Sequence, residues 1–172
     1  MQKYPAKIVP HYCSERGHGW RGSLPLSAFP RLKGLVLNPE APVEFELRFG
    51  KEDRRRVVRG KVKVRLRLIC QRCLEPVEIP IEQPIALGIV ETLAEGESLP
   101  EPLEPLVTEE REEIPFTDIM EEEILLALPP FPKHERCGPE VKTAGEEALQ
   151  GESPFAILRQ LKPKEEREDG RS

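Results

Sequence analysis

The chain has 172 residues, 38% hydrophobic and 33% charged, with 19 prolines and 5% aromatics, enough for one buried core with looser ends and no second domain. No apolar run approaches the ~20 residues of a membrane span, and Met1-Gln2-Lys3-Tyr4-Pro5-Ala6-Lys7 lacks the apolar core of a signal peptide. A soluble cytoplasmic protein with no membrane partner is expected, and a reducing cytosol disfavours disulfides among its four cysteines.

The net charge of -5 hides a polarised distribution. Between Arg48 and Cys73, eleven basic residues stand against Glu52 and Asp53. Between Glu91 and Glu113, nine glutamates stand against Arg111. The two stretches either pair with each other or present separate faces.

Residues 1–40 are rich in Pro, Gly and isolated aromatics such as Trp20 and read as a loop-rich arm with short elements. Cys13 between His11 and His18 resembles a ligand cluster, but a buried or free thiol is the plainer account. Residues 41–137 carry the expected core. Val43 to Phe49 alternates as a half-buried strand, Gly50 to Arg56 forms a turn, and a return strand follows. On that strand Val62, Val64, Leu66, Leu68 and Cys70 share a dry face, and Lys61, Lys63, Arg65 and Arg67 share a cationic one. Pro76 to Val90 alternates again, with prolines that assign it to an edge or to bulges, and Glu78 and Glu82 fall opposite the cations.

Residues 91–113 read as a solvated acidic connection. Asp118-Ile119-Met120-Glu121 has capping-box spacing, and Phe116, Met120, Ile124 and Leu128 recur as one helical stripe that Pro129-Pro130 terminates. That short helix is expected to lie over the dry face of the sheet. Residues 138–172 read as a linker, a short helix opened by Ser153-Pro154, and a charged tail. Phe155, Leu158 and Leu161 form a stripe that either docks a partner or packs on its own domain. The fold class is therefore α+β: an antiparallel, partly curled sheet, a short packing helix, a Cys-x-x-Cys knuckle and a C-terminal helix.

Three motifs carry chemistry. Cys70-Gln71-Arg72-Cys73 with His134 and Cys137 makes a set of three thiols and one imidazole, suited to one structural zinc with no open position; reduced structural thiols are the alternative. Arg54, Arg55, Arg56, Arg59, Lys61, Lys63, Arg65, Arg67 and Arg72 together suit a phosphate backbone, RNA first, read with little sequence preference. Catalysis finds no support, since there is no Gly-rich phosphate loop, no His-Glu-x-x-His helix and no paired nucleophile. The acidic clusters read as solvated rather than magnesium-binding.

Cys70-Gln71-Arg72-Cys73 after a charged strand, Glu121 to Pro129 leading to Pro132, His134 and Cys137, and Pro154-Phe155-Ala156-Ile157-Leu158 stand in an order that resembles the YceD family. The resemblance spans roughly residues 43–162. It implies a non-catalytic cytoplasmic factor that supports accumulation or processing of 23S ribosomal RNA and assembly of the large subunit. On that view the partners are 23S rRNA or its precursor and large-subunit assembly particles. An adaptor that brings a nuclease or a ribosomal protein to the precursor is the alternative.

Overall fold

The computed structural model describes residues 4–137. The segment with Phe155, Leu158 and Leu161, its linker and its tail lie outside the described residues. In chain order the elements are β1 (Lys7–Ile8), α1 (Pro10–Arg16), β2 (Gly19–Pro25), a 3-10 turn (Leu26–Ala28), α2 (Pro30–Lys33), β3 (Pro42–Glu52) and β4 (Arg55–Ile69). They continue with β5 (Pro76–Val90), α3 (Leu93–Gly96), β6 (Glu104–Val107), β7 (Ile114–Pro115) and α4 (Phe116–Ala127). An open five-stranded sheet runs β2-β3-β4-β5-β6, antiparallel except where β6 joins β5 in parallel. β1 and β7 form a separate antiparallel pair.

The alternating row of β4 produces the two faces its period predicts. Val62, Val64, Leu66, Leu68 and Cys70 are all buried, and Lys61, Arg65 and Arg67 are exposed. β3 and β4 run further toward their hairpin than the expected turn at Gly50 to Arg56 allows. Their register continues to Glu52 opposite Arg55, leaving Asp53 and Arg54 as a two-residue turn, both with positive φ (46° and 68°). That backbone matches the twist of paired strands, so the hairpin tightens and Arg55 and Arg56 become strand residues. Midway, Gly60 pairs with Leu47, and a Cβ there would lie 2.0 Å from the Glu46 carbonyl oxygen. Only a residue without a side chain permits this approach.

β5 is unbroken by bulges over its pairing with β4, although it contains Pro76, Pro80 and Pro84. The backbone of Arg65 and Arg67 turns away from β5, because Arg65 O accepts from Asn38 Nδ2 (2.9 Å) and Arg67 N donates to Asn38 Oδ1 (2.9 Å). Arg65 pairs with Pro80, and Lys61 and Ile69 pair with Pro84 and Pro76 in the same phase. All three prolines therefore face their missing N–H to the outer edge, where no ladder bond is lost. The Asn38 amide meanwhile continues the ladder where β3 has ended.

The expected loop-rich arm is built into the core. β2 pairs along β3 from Gly19 to Pro25, and Leu26, Phe29 and Leu32 are fully buried. Phe116, the first residue of α4, meets Phe45 and Trp20 edge-on at 5.4 Å and stacks on Tyr4 at 5.9 Å. An edge strand with glycines at 19 and 22 has no hydrophobic period to announce it, and its Trp20 alone signals the packing. α4 covers the dry face as expected, burying Phe116, Ile119, Met120 and Ile124, each worth about 1.5–3 kcal/mol.

The capping box at Asp118 does not form. The helix begins three residues earlier, with Pro115 rather than Asp118 as N-cap, and Glu121 is buried at 2% exposure facing a different helix. Its Oε1 accepts from Arg31 N (2.7 Å) and Leu32 N (3.1 Å), and its Oε2 accepts from Arg31 Nε (3.1 Å). The carboxylate thus caps the first turn of α2 from across the chain, satisfying N–H groups that so short a helix cannot.

Part of the acidic stretch is also structured. α3 is capped by Thr92, whose Oγ1 accepts from Glu95 N (3.2 Å), and β6 extends the sheet. Leu99 closes over Gly88, where a Cβ would come within 2.7 Å of it.

Candidate metal centre and basic face

The end of β4 delivers Cys70 to the edge of the core, and a tight turn then reverses the chain into β5. Leu74 N donates to Cys70 O (3.0 Å), Cys70 N donates to Glu75 O (2.9 Å), and Leu74 takes φ 63°. This turn brings Cys73 round to the side of Cys70. After α4, Pro129-Pro130 stops the helix and turns the chain back onto the knuckle, where Gln71 N donates to Pro132 O (2.8 Å). His134 and Cys137 then arrive beside the two cysteines.

The four ligand atoms lie within 4.8 Å of one another. Cys70 Sγ is 3.5 Å from Cys137 Sγ, and Cys73 Sγ is 3.4 Å from His134 Nδ1. A tetrahedral zinc with ordinary Zn–S and Zn–N lengths separates its ligands by about 3.5–3.8 Å, so two pairs already stand near that spacing, the others lie within 4.8 Å, and the donor types suit a single ion. His134 Nε2 donates to Pro76 O (3.1 Å), which fixes the tautomer and leaves the Nδ1 lone pair facing the sulfurs. Burial pushes the Cys70 thiol up, but backbone N–H groups of Cys73, Arg72 and His134 and the Cys137 thiol outweigh it and bring it down to about 5. At Cys73 the Glu75 N–H pulls downward, and burial with the neighbouring Cys70 and Cys137 sulfurs wins, holding that thiol above its ordinary value. One sulfur is thus prepared as a thiolate.

His11, Cys13 and His18 do not join this set or form another. His11 Nε2 bonds to Thr108 O (3.0 Å), His18 lies tilted against Trp20 at 5.4 Å, and burial raises the Cys13 thiol. Among the described residues, Cys70, Cys73, His134 and Cys137 form the sole cluster at ligand distance.

The nine basic residues fall into three groups along β4 and its turns. Arg54 and Arg55 stand exposed at the hairpin tip. Near them Arg56 donates to Glu15 (3.0 Å), and Arg59 donates to Glu52 through two nitrogens (3.1 and 2.7 Å). In the middle, Lys61 lies opposite Glu46, while Lys63 lies between Glu44 and Glu82 and pairs with Glu82 at 2.6 Å. That bond lowers the Glu82 carboxyl, with Lys61 adding to it.

At the knuckle end Arg65, Arg67 and Arg72 are exposed, and among the described residues no carboxylate pairs with them. Among the described residues Glu78, opposite Arg67 in register, forms no ion pair either. The acidic stretch at residues 91–113 reaches none of these cations; among the described residues its one ion pair is Lys7 with Glu113 (3.9 Å). The two charge blocks present separate faces. Glu44 and Glu46, which dilute the middle of the cationic row, were legible only once the register was known.

Among the described residues no helix is long and apolar enough to cross a membrane. No solved structure matches the chain. A protein of Haemophilus influenzae named large ribosomal RNA subunit accumulation protein YceD is 31% identical over 170 residues, covering 94% of this chain and 98% of that protein. The family model described as large ribosomal RNA subunit accumulation protein YceD matches residues 58–162, from β4 through the knuckle and the His134-to-Cys137 stretch. The chain belongs to the YceD family.

Proposed function

We propose that this protein supports accumulation of 23S ribosomal RNA, without itself catalysing a reaction, by holding the RNA or its precursor on the cationic end of β4. The observation that carries this is the pattern of neutralisation. Carboxylates pair with Arg56, Arg59 and Lys63; of the arginines of this row left without such a partner among the described residues, Arg54 and Arg55 stand apart at the hairpin tip, whereas Arg65, Arg67 and Arg72 gather at the knuckle end of the sheet. Unpaired guanidiniums on a strand and the tight turn it leads into suit a phosphate backbone, because binding releases counterions and displaces no internal partner. The family relative's name supports the same assignment.

In this reading one structural zinc is held by Cys70, Cys73 and Cys137 as thiolates and by His134 through Nδ1. Its role is to fix the turn that carries Arg72 beside the end of β4. The donor set and its spacing support zinc, and four protein ligands leave no open position for chemistry at the metal.

The test is binding of a labelled 23S precursor fragment by fluorescence anisotropy across a salt series, for wild type and for Arg65/Arg67/Arg72→Glu. The variant should lose most affinity and flatten the salt dependence by roughly 0.7–0.9 in log–log slope for each phosphate contact removed. Lys61/Lys63→Gln should change little. Unchanged binding by the triple variant, with continued co-purification with large-subunit particles, would transfer the function to a protein-bridging role.

A further inference from the structure

A groove of about 720 Å³ lies between α4 and the β5–β6 edge, within the size range of ordinary ligand sites. Its floor is apolar. Leu87, Leu106 and Ile119 line it, and Leu126 on α4 is left 66% exposed beside them. Its rim is acidic, with Glu104, Asp118, Glu122 and Glu123. The single cation in the lining, Arg31, already pairs with Glu121 (3.1 Å) and Glu122 (2.7 Å).

Glu123 is the decisive residue. It is only 6% exposed and lines the groove, and among the described residues no hydrogen bond or ion pair reaches its carboxylate, whose oxygens are not sealed from solvent and so open into the groove. Burial, with Glu104 and Glu122 nearby, pushes its carboxyl up. Burial likewise raises Asp118, where Glu121 and Glu122 add to the effect and Arg31 opposes it. A carboxylate that keeps only a narrow opening to solvent, among other acids, loses part of its hydration, and a positive charge brought into the groove offsets that cost.

We propose that this groove docks a cationic, amphipathic segment of a partner protein, with an apolar side chain on the floor beside Leu126 and a Lys or Arg meeting Glu123. Charge complementarity selects this occupant. RNA would meet like charge on the rim. A divalent cation would need converging carboxylates, and among the described residues none of these acids belongs to a set of three or more at ligand distance. The apolar floor, which an ion would leave uncovered, gives a leucine-sized anchor about 1.5–3 kcal/mol on burial. The groove involves neither the knuckle nor the arginines of the RNA face, so the two surfaces can be occupied together.

The experiment uses the full-length protein and two labelled synthetic helical peptides. One carries Leu on one face with Lys and Arg on the other; in the second every Lys and Arg is Gln. The cationic peptide should bind and the Gln peptide should not. Glu122→Gln/Glu123→Gln and, separately, Leu126→Ser should each weaken binding about tenfold. Arg65/Arg67/Arg72→Glu, which removes the RNA face, should not weaken it.

Thermal melts check that the variants fold, and methyl chemical shifts of Leu106 and Leu126 in wild type report the site without any substitution. Equal binding by wild type and both groove variants, or peptide-induced shifts confined to other methyls, would mean general attraction to an acidic chain and overturn the proposal. Failure of the cationic peptide to bind while magnesium alone shifts the same methyls would overturn it in favour of an ion site.

Discussion

Removing the metal should free one segment and leave the sheet intact. Apart from its contacts to the ligand sulfurs, the stretch that carries His134 and Cys137 is fastened to the knuckle, among the described residues, by two hydrogen bonds, Gln71 N to Pro132 O and His134 Nε2 to Pro76 O. Phe131 beside them is 72% exposed and adds little packing. At ~1 kcal/mol net for each bond the segment is held by about 2 kcal/mol, so roughly one molecule in 30 has it open. Structural zinc in small sites contributes ~10 kcal/mol or more. Even a third of that lowers the open fraction by a further factor of several hundred.

Hydrogen exchange read by mass spectrometry, with and without a strong chelator, measures this directly. Peptides covering Phe131 to Cys137 and the Gln71–Leu74 turn should exchange at least a hundredfold faster after chelation, and peptides from β3 and the centre of β4 should not change. Wild type should carry close to one equivalent of zinc, and Cys73→Ser should lose it and give the chelated pattern without chelator. Identical exchange with and without chelator, or protein purified gently without zinc, would refute the reasoning.

Three further outcomes follow from the packing. Glu121→Gln keeps one oxygen for the α2 N–H groups but turns an amide toward Arg31 Nε. It should cost about 2 kcal/mol, or a melting point lower by roughly 4–8 °C, and Glu121→Ala more; calorimetry within 1 °C of wild type for both, on the order of measurement error, would discount the cap. Gly60→Ala forces a methyl onto the Glu46 carbonyl, so a loss of about 3 kcal/mol or more is expected in urea unfolding, with the backbone rather than a side chain having to move. Glu123 has a raised folded-state pKa, so its ionisation costs stability that falls away as pH rises through and above the ordinary carboxylate range. Glu123→Gln should therefore unfold at higher urea than wild type at neutral pH, and the advantage should vanish in acid below the ordinary value.

What could be read from the residues was what repeats or converges locally. The alternation of β4 gave both its faces, the spacing of Phe116, Met120 and Ile124 gave the helix, and Cys70, Cys73, His134 and Cys137 were recognisable by donor type although about sixty residues separate the pairs. Features set by register were not readable. Glu44, Glu46 and Glu82 lie beside the cations only because β3 and β5 pair where they do. Glu121 looked like a local cap because capping-box spacing is a property of sequence, whereas its actual partners stand on α2, brought there by tertiary packing. The edge strand β2 escaped notice because one covered face and two glycines leave no period.

The row of prolines on β5 bears on how these molecules treat one another when crowded. Pro76, Pro80 and Pro84, with Pro105 on β6, leave that side of the sheet without a run of donors for another strand. On the opposite side β2 has no strand beyond it among the described residues. A sheet that accepts a neighbour on one side only cannot propagate. Two copies joined along β2 would each present a blocked side outward, so self-association by strand addition ends at a closed pair and never grows into a fibre.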